Sequence, residues 1–205
     1  MIELQTLPNF PALTKVGSRL LLFFCLVNQV SFPSSAAQVR AYIKHALADV
    51  VRQQFPDAQV LAGVATAGIP QGALVADELG LPYCYVRPEP KKHGMGNQIE
   101  GRLETDEATG PQKVVVVEDL ISTGGSSLKV VEALRQAGAD VIGMIAIFTY
   151  GFATADTNFE HAGIKLVCLS TYDTLVQEAQ TLNYIPADAL DSLANWRKSP
   201  ADWGQ

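Results

Sequence analysis

Two adjacent acids followed by a loop of hydroxyls and glycines stand in residues 114–127, VVVVEDLISTGGSS. Gly124 and Gly125 lack side chains, so the backbone there can take left-handed angles and come close to a ligand. The hydroxyls of Ser122, Thr123, Ser126 and Ser127, with backbone N–H groups and the positive end of a following helix, can hold a phosphate. Glu118 and Asp119 would repel a bare anion. Their useful partners are a sugar's hydroxyls or a hydrated divalent cation, so the stretch points to a ligand carrying both phosphate and ribose. The other reading of Ser-Thr-Gly-Gly is a polar strand-to-helix turn with Ser126 as its cap.

The elements that must position this stretch follow from the flanking pattern. Four consecutive valines suit a strand buried on both faces, and Leu128, Val131, Leu134 and Ala137 after the loop have helical spacing. Residues 58–64 (AQVLAGV) form a second expected strand, and Thr66, Ala67 and Gly68 repeat the small-residue theme before a helix from about Pro70 to a stop at Gly80. Two such loops at the C-terminal ends of neighbouring parallel strands would border one crevice. Upstream, a helix from Ser35 places Val39, Tyr42, Ile43, Ala46, Leu47, Val50 and Val51 on one face, with Ser34 or Ser35 as cap and Pro56 marking its end. Further strands are expected at 81–87, 141–150 and 165–170, and helices over about 153–162, after a Thr171 cap (Tyr172, Leu175, Val176, Ala179), and from Pro186 (Leu190, Leu193, Trp196). Strand-helix alternation throughout implies a parallel sheet with helices on both faces.

Composition narrows the class. A chain of 205 residues with 48% hydrophobic and 18% charged residues describes a folded soluble protein of one domain, 1–205. A formal charge of −6 argues against a nucleic-acid partner, since polyanion binding wants a basic surface. Cys25, Cys84 and Cys168 each lie in an apolar run and are expected as buried thiols in a reducing compartment. LLLFFCLV at 20–27, after Lys15 and Arg19, imitates the order of a signal peptide. It falls far short of the roughly 20 apolar residues that span a bilayer, and is read as a buried strand. Residues 1–19, with Pro8 and Pro11, read as an irregular lead-in. His45 and His161 lack chemical context and read as structural or exposed.

Residues 88–110 are polar, rich in Gly and Pro, and without a long apolar run. A segment this long without a core face is usually functional or mobile. It carries Lys91, Lys92 and His93, a basic cluster in an acidic chain, whose alternative reading is a solvated charge run. GMG is no dinucleotide fingerprint, because Ile99 occupies the third-glycine position, and the GxxxxGK[ST] of a P-loop is absent.

The run VVVVEDLISTGGSS resembles the phosphoribosyl-pyrophosphate (PRPP) motif of type I phosphoribosyltransferases. The basic loop, NQIEG (97–101), and YGF followed by a helix and KLVCLSTYDTLV are similar to one branch of the orotate phosphoribosyltransferases. The resemblance implies an α/β, type I phosphoribosyltransferase-like fold. Its central mostly parallel sheet is flanked by helices, with a core over about 35–170 and a small hood from about 1–34 plus 171–205. It implies that Glu118 and Asp119 bind the ribose hydroxyls, that Ser122, Thr123, Gly124, Gly125 and Ser126 bind the 5-phosphate, and that Thr66, Ala67 and Gly68 contact pyrophosphate. Arg87, Lys91, Lys92 and His93 would close over the pyrophosphate from a flexible loop, commonly contributed by the neighbouring subunit of a homodimer. Lys91, His93 and Asp119 would be the catalytic set, and Ser122 and Lys15 would meet orotate. Mg²⁺ would be held mainly by PRPP and waters, with no direct protein ligand, and the enzyme would be cytoplasmic, without nucleic-acid or membrane partners.

The sequence departs from that pattern in places. Pro88 stands where many relatives have a second basic residue. Ser31-Phe32-Pro33 preserves a family turn, but LLLFFCLVNQ replaces the polar segment that precedes it, and an arginine that some relatives use on the orotate carboxylate is missing after Tyr150. A transferase for another base, or a PRPP-binding regulator that transfers nothing, are the alternatives. Such regulators usually add a DNA-binding domain and a basic surface, for which this chain has neither room nor charge.

Overall fold

The computed structural model describes residues 35–89, 98–106, 110–186, 188–198 and 200. Its first element is helix α1 (Ser35–Gln54), whose face of Val39, Ile43, Leu47, Val50 and Val51 is buried as the 3.6-residue spacing predicts. Strand β1 (Val60–Val64) is buried along its whole length. Helix α2 (Gly68–Leu79) begins two residues earlier than Pro70 and ends on Gly80 in the left-handed conformation. Then come β2 (Tyr83–Val86), β3 (Ile99–Glu100), β4 (Thr105–Asp106) and β5 (Gly110–Pro111), so parts of the polar segment 88–110 take up strand pairing. The central strand β6 (Lys113–Ile121) leads into α3 (Gly125–Gln136), and β7 (Asp140–Thr149) into α4 (Ala153–Ala162). The chain continues through β8 (Leu166–Thr171), α5 (Tyr172–Thr181) and α6 (Ala189–Lys198). Thr171 caps α5 as its sequence position predicts, its hydroxyl accepting from the Thr174 N–H at 3.3 Å.

The main sheet has the order β3-β2-β1-β6-β7-β8, parallel except for the β2–β3 pair, and β4 and β5 form a small ribbon apart from it. The chain runs from β1 outward to β2, then returns to place β6 on the other side of β1. Between β1 and β6 the strand order therefore reverses, and the loops leaving their C-terminal ends diverge to leave a crevice.

Alternate valines of β6 feed two cores. Val114 and Val116 pack with Val130, Val131 and Leu134 of α3 and Phe159 of α4, whereas Val115 and Val117 pack with α1 and with Val75 and Ala76 of α2. Burial on both faces explains why the strand reads as a continuous apolar run rather than an alternating one. Cys84 is buried and Cys168 half-buried, both as free thiols, in keeping with their apolar surroundings, while Cys25 lies outside the described residues.

The C-terminal helices attach at the edge of the sheet where β7 and β8 end. Tyr150, Phe152, Tyr172 and Trp196 form one aromatic group there, with Tyr150 and Phe152 stacked at 5.4 Å and Trp196 5.3 Å from Tyr172. Arg197 of α6 pairs with Asp173 and donates to the carbonyl of Gly151 at 3.1 Å, tying the last helix to the loop after β7. Among the described residues no helix is long and apolar enough to cross a membrane.

Candidate active site

Three strand ends and the segments that follow them bring the expected residues to one edge of the sheet. β6 ends in Glu118, Asp119, Leu120 and Ile121, β1 runs into Thr66, Ala67 and Gly68, and β2 runs into Arg87. Lys91, Lys92, His93 and Lys15 lie outside the described residues.

The phosphate-type loop is built by the local sequence and held by α4. Gly124 has φ 79° and serves as the N-cap of α3, whose first turn takes no side-chain cap. The turn-and-cap reading of Ser126 is thereby corrected, because a backbone glycine does the turning and Ser126 is exposed. Ser122, Thr123 and Gly125 are exposed as well, while Gly124 is buried. A side chain on Gly124 would put a Cβ 2.6 Å from the Phe159 ring. The Asn158 amide donates to the Thr123 carbonyl at 2.9 Å. Asn158 and Phe159 thus brace the loop from behind, a role the sequence pattern could not reveal, since Asn158 lies 35 residues after Thr123.

The first small-residue loop is held equally closely. The Ala65 N–H donates to the Val86 carbonyl at 2.8 Å, and the Tyr83 hydroxyl donates to the Ile69 carbonyl at 2.8 Å. The Ala65–Thr66 peptide is cis. At Gly68 an added Cβ would lie 2.6 Å from the Val117 carbonyl oxygen, so only glycine lets α2 start directly against β6. At the end of β2 the Arg87 N–H donates to the Gln98 carbonyl at 2.9 Å and the Gln98 amide donates back to the Arg87 carbonyl at 2.8 Å. That pair ties together the two ends of the basic segment. The Arg87 guanidinium stands 5.5 Å from the centre of the Tyr85 ring.

The two acids occupy different environments. Glu118 is 6% exposed, its Oε2 accepting from the Ser127 hydroxyl at 2.9 Å and its Oε1 from the Asp119 N–H at 3.0 Å. Asp119, one residue on, is only half-buried. Ser127 is 3% exposed, so its hydroxyl serves Glu118 and is not among those open to a phosphate; that expectation is corrected. Its place in the first turn of α3, on the face that packs on the sheet, turns it inward, whereas Ser126 turns outward.

Burial, and next the neighbouring Asp119 carboxyl, push the Glu118 pKa from 4.5 up to about 8. A group whose folded pKa lies above its unfolded one holds its proton more tightly when folded, so its contribution to stability falls as pH rises between those two values and is level above them. Unfolding midpoints in denaturant are therefore expected to decline from about pH 5 to about pH 8 less steeply in Glu118→Gln than in the parent chain. Equal slopes would remove Glu118 as the source of the decline.

The arrangement can bind a ligand with a diol flanked by phosphates: acids at the end of the central strand, and glycine-rich turns opening to either side. The model of the phosphoribosyl transferase domain matches residues 33–171. The chain is 55% identical over 174 residues to the orotate phosphoribosyltransferase of Cytophaga hutchinsonii, covering 85% of this chain and 79% of that protein. It is 48% identical over 203 residues to the orotate phosphoribosyltransferase of Porphyromonas gingivalis, covering 99% and 91%. This second likeness takes in the N-terminal stretch where the motifs diverge. The crystal structure of orotate phosphoribosyltransferase from Aeropyrum pernix superposes with a TM-score of 0.62 at 31% identity, over 73% of this chain and 79% of that one. A parallel sheet with its acid pair and glycine turn at the switch point, matched by a family domain over most of its length, places this chain in the type I phosphoribosyltransferase family, among the orotate phosphoribosyltransferases.

Proposed function

We propose that this chain transfers the 5-phosphoribosyl group of PRPP to orotate, forming orotidine 5'-phosphate and pyrophosphate in pyrimidine synthesis. The observation that carries the reading is the placement of Glu118, Asp119 and the Gly124 turn at the crevice between β1 and β6. Relatives at 55% and 48% identity that bear the orotate phosphoribosyltransferase name support the choice of base.

In the transfer, the bond from ribose C1 to the pyrophosphate oxygen breaks while a base nitrogen bonds to C1. Positive charge builds on the ribose and negative charge on the departing pyrophosphate, so catalysis is positioning and electrostatics. The acid pair receives the ribose hydroxyls, and Asp119, the more open of the two, also faces the developing positive charge. The 5-phosphate rests on residues 122–126 against the uncapped first turn of α3. Thr66, Ala67 and Gly68 meet the pyrophosphate, and Arg87, Lys91, Lys92 and His93 offset its charge. Closure of the basic segment, from the neighbouring subunit of a homodimer, excludes water that would otherwise hydrolyse PRPP. Ser122 and Lys15 contact orotate, under a hood of the N-terminal and C-terminal segments.

Among the described residues no group of three or more His, Cys, Asp or Glu side chains gathers as a metal cage. Two adjacent acids of which one is half-open fit an Mg²⁺ that arrives with most of its ligands supplied by PRPP and water. When bound, the ion neutralises pyrophosphate charge. The proposed enzyme works in the cytoplasm.

The test is a spectrophotometric assay of orotate depletion with PRPP and Mg²⁺. The parent chain is expected to consume orotate, and Lys91→Ala to lower kcat by about a hundredfold or more, the scale on which a charge-stabilising group acts in a transition state. No turnover by the parent chain, with PRPP binding intact by calorimetry, would sink orotate as the base.

A further inference from the structure

Ser127 and Glu118 are two of only three buried polar side chains among the described residues, and they bond to each other. Capping does not explain the serine. It lies in the first turn of α3, but the helix has no side-chain cap, and the hydroxyl reaches sideways to the strand. Nor does the carboxyl need Ser127 to be covered: on its other side the start of α2 closes in, where a Cβ on Gly68 would stand 3.5 Å from Oε1 and 3.4 Å from the Glu118 Cα. The Glu118 carboxyl thus sits where the two loop-helix units of the crevice meet.

The Asp119 side chain lies within hydrogen-bond reach of the Glu118 carboxyl, so the direction in which that carboxyl points decides which oxygen of Asp119 is left facing the crevice. The Ser127 donor sets that direction through Oε2. We propose that Ser127 is a positioning residue for phosphoribosyl transfer: by engaging Oε2 of Glu118 it fixes that carboxyl and, through it, the Asp119 oxygens that accept the ribose hydroxyls. The inference rests on the reading that the acid pair meets the ribose of PRPP.

The test combines steady-state kinetics with calorimetry of PRPP·Mg²⁺ binding. Loss of one buried hydrogen bond, leaving the Glu118 oxygen without its donor, predicts that Ser127→Ala raises KM for PRPP about tenfold while KM for orotate stays within about twofold of the parent value. Ser127→Thr, which keeps the donor, is expected to recover most of the loss. Because the effect passes through Glu118, adding Ser127→Ala to Glu118→Gln should change PRPP affinity less than about twofold. An equal loss of PRPP affinity in both backgrounds, or no loss in either, overturns the role. Should Ser127→Ala fail to fold, Ser127→Cys, of similar size and weaker as a donor, is read in the same way. A parent chain that neither binds PRPP nor consumes orotate overturns the proposed function and this role with it. Turnover by the parent chain with an indifferent Ser127→Ala overturns the role of Ser127 alone.

Discussion

A Gly124→Ala chain is expected to fold and yet bind PRPP at least about tenfold more weakly than its parent, because two penalties meet at one position. An L-residue at φ 79° costs roughly 1–2 kcal/mol over glycine, and each 1.4 kcal/mol is a factor of ten in binding if it falls on the bound geometry. The added Cβ would also stand 2.6 Å from a ring carbon of Phe159, itself only 4% exposed, and forcing a methyl into a packed site costs about 1–3 kcal/mol. The loop can escape both by lifting off α4, which breaks the Asn158 hydrogen bond to Thr123 and displaces the residues that would cradle the 5-phosphate. Calorimetry with PRPP·Mg²⁺ measures the loss. Phe159→Leu in the same chain should return part of it, since changes that share a clash are not additive. Undiminished affinity in Gly124→Ala would mean that the loop geometry does not govern phosphate binding.

The second large effect concerns stability alone. Gly143 of β7 lies against Phe55, the residue following α1, and a Cβ there would fall 2.1 Å from one ring carbon and 2.4 Å from another. The register of β6 against β7 shifts between Val114 and Val115, so that Val114 faces Val141 and Val115 faces Gly143. The irregularity lets a bare backbone meet the ring. Gly143→Ala is expected to lose about 1–3 kcal/mol, seen as a lower denaturant midpoint with an unchanged slope. Phe55→Leu should be less harmful in that variant than in the parent, because the smaller side chain yields the space. A midpoint equal to the parent's would mean that Phe55 moves aside without cost.

Much of this architecture was legible in one dimension because both signals behind it are local. The valine run, the helical spacing of Val39 to Val51 and the small-residue loops reflect burial and turn chemistry that act over a few residues, so element types and the common edge of the two loops could be read directly. Boundaries drifted where tertiary contact overrode a local marker. α2 begins at Gly68 rather than near Pro70 because the missing side chain lets it abut Val117. Residues 99–100 and 105–106, within a stretch read as loop, pair as short strands, Ile99 and Glu100 at the open edge of β2. The pairing partner, not the composition, makes such a two-residue strand.

The sequence by itself determined the chemistry of the site: adjacent carboxylates, hydroxyls and glycines in the order strand, turn, helix can be arranged on a phosphate and a ribose by backbone geometry alone. Only the tertiary structure decided how those groups are divided. Packing of α3 on the sheet turns Ser127 inward to Glu118 and leaves Ser126 outward, although the two serines are neighbours in the chain. The return of the chain across β1 sets the crevice between β1 and β6, and the approach of Asn158 and Phe159 gives the Gly124 turn its backing. Each of these depends on residues distant in sequence meeting at close range, and the burial that drives such meetings is set by the whole packed sheet rather than by any one stretch.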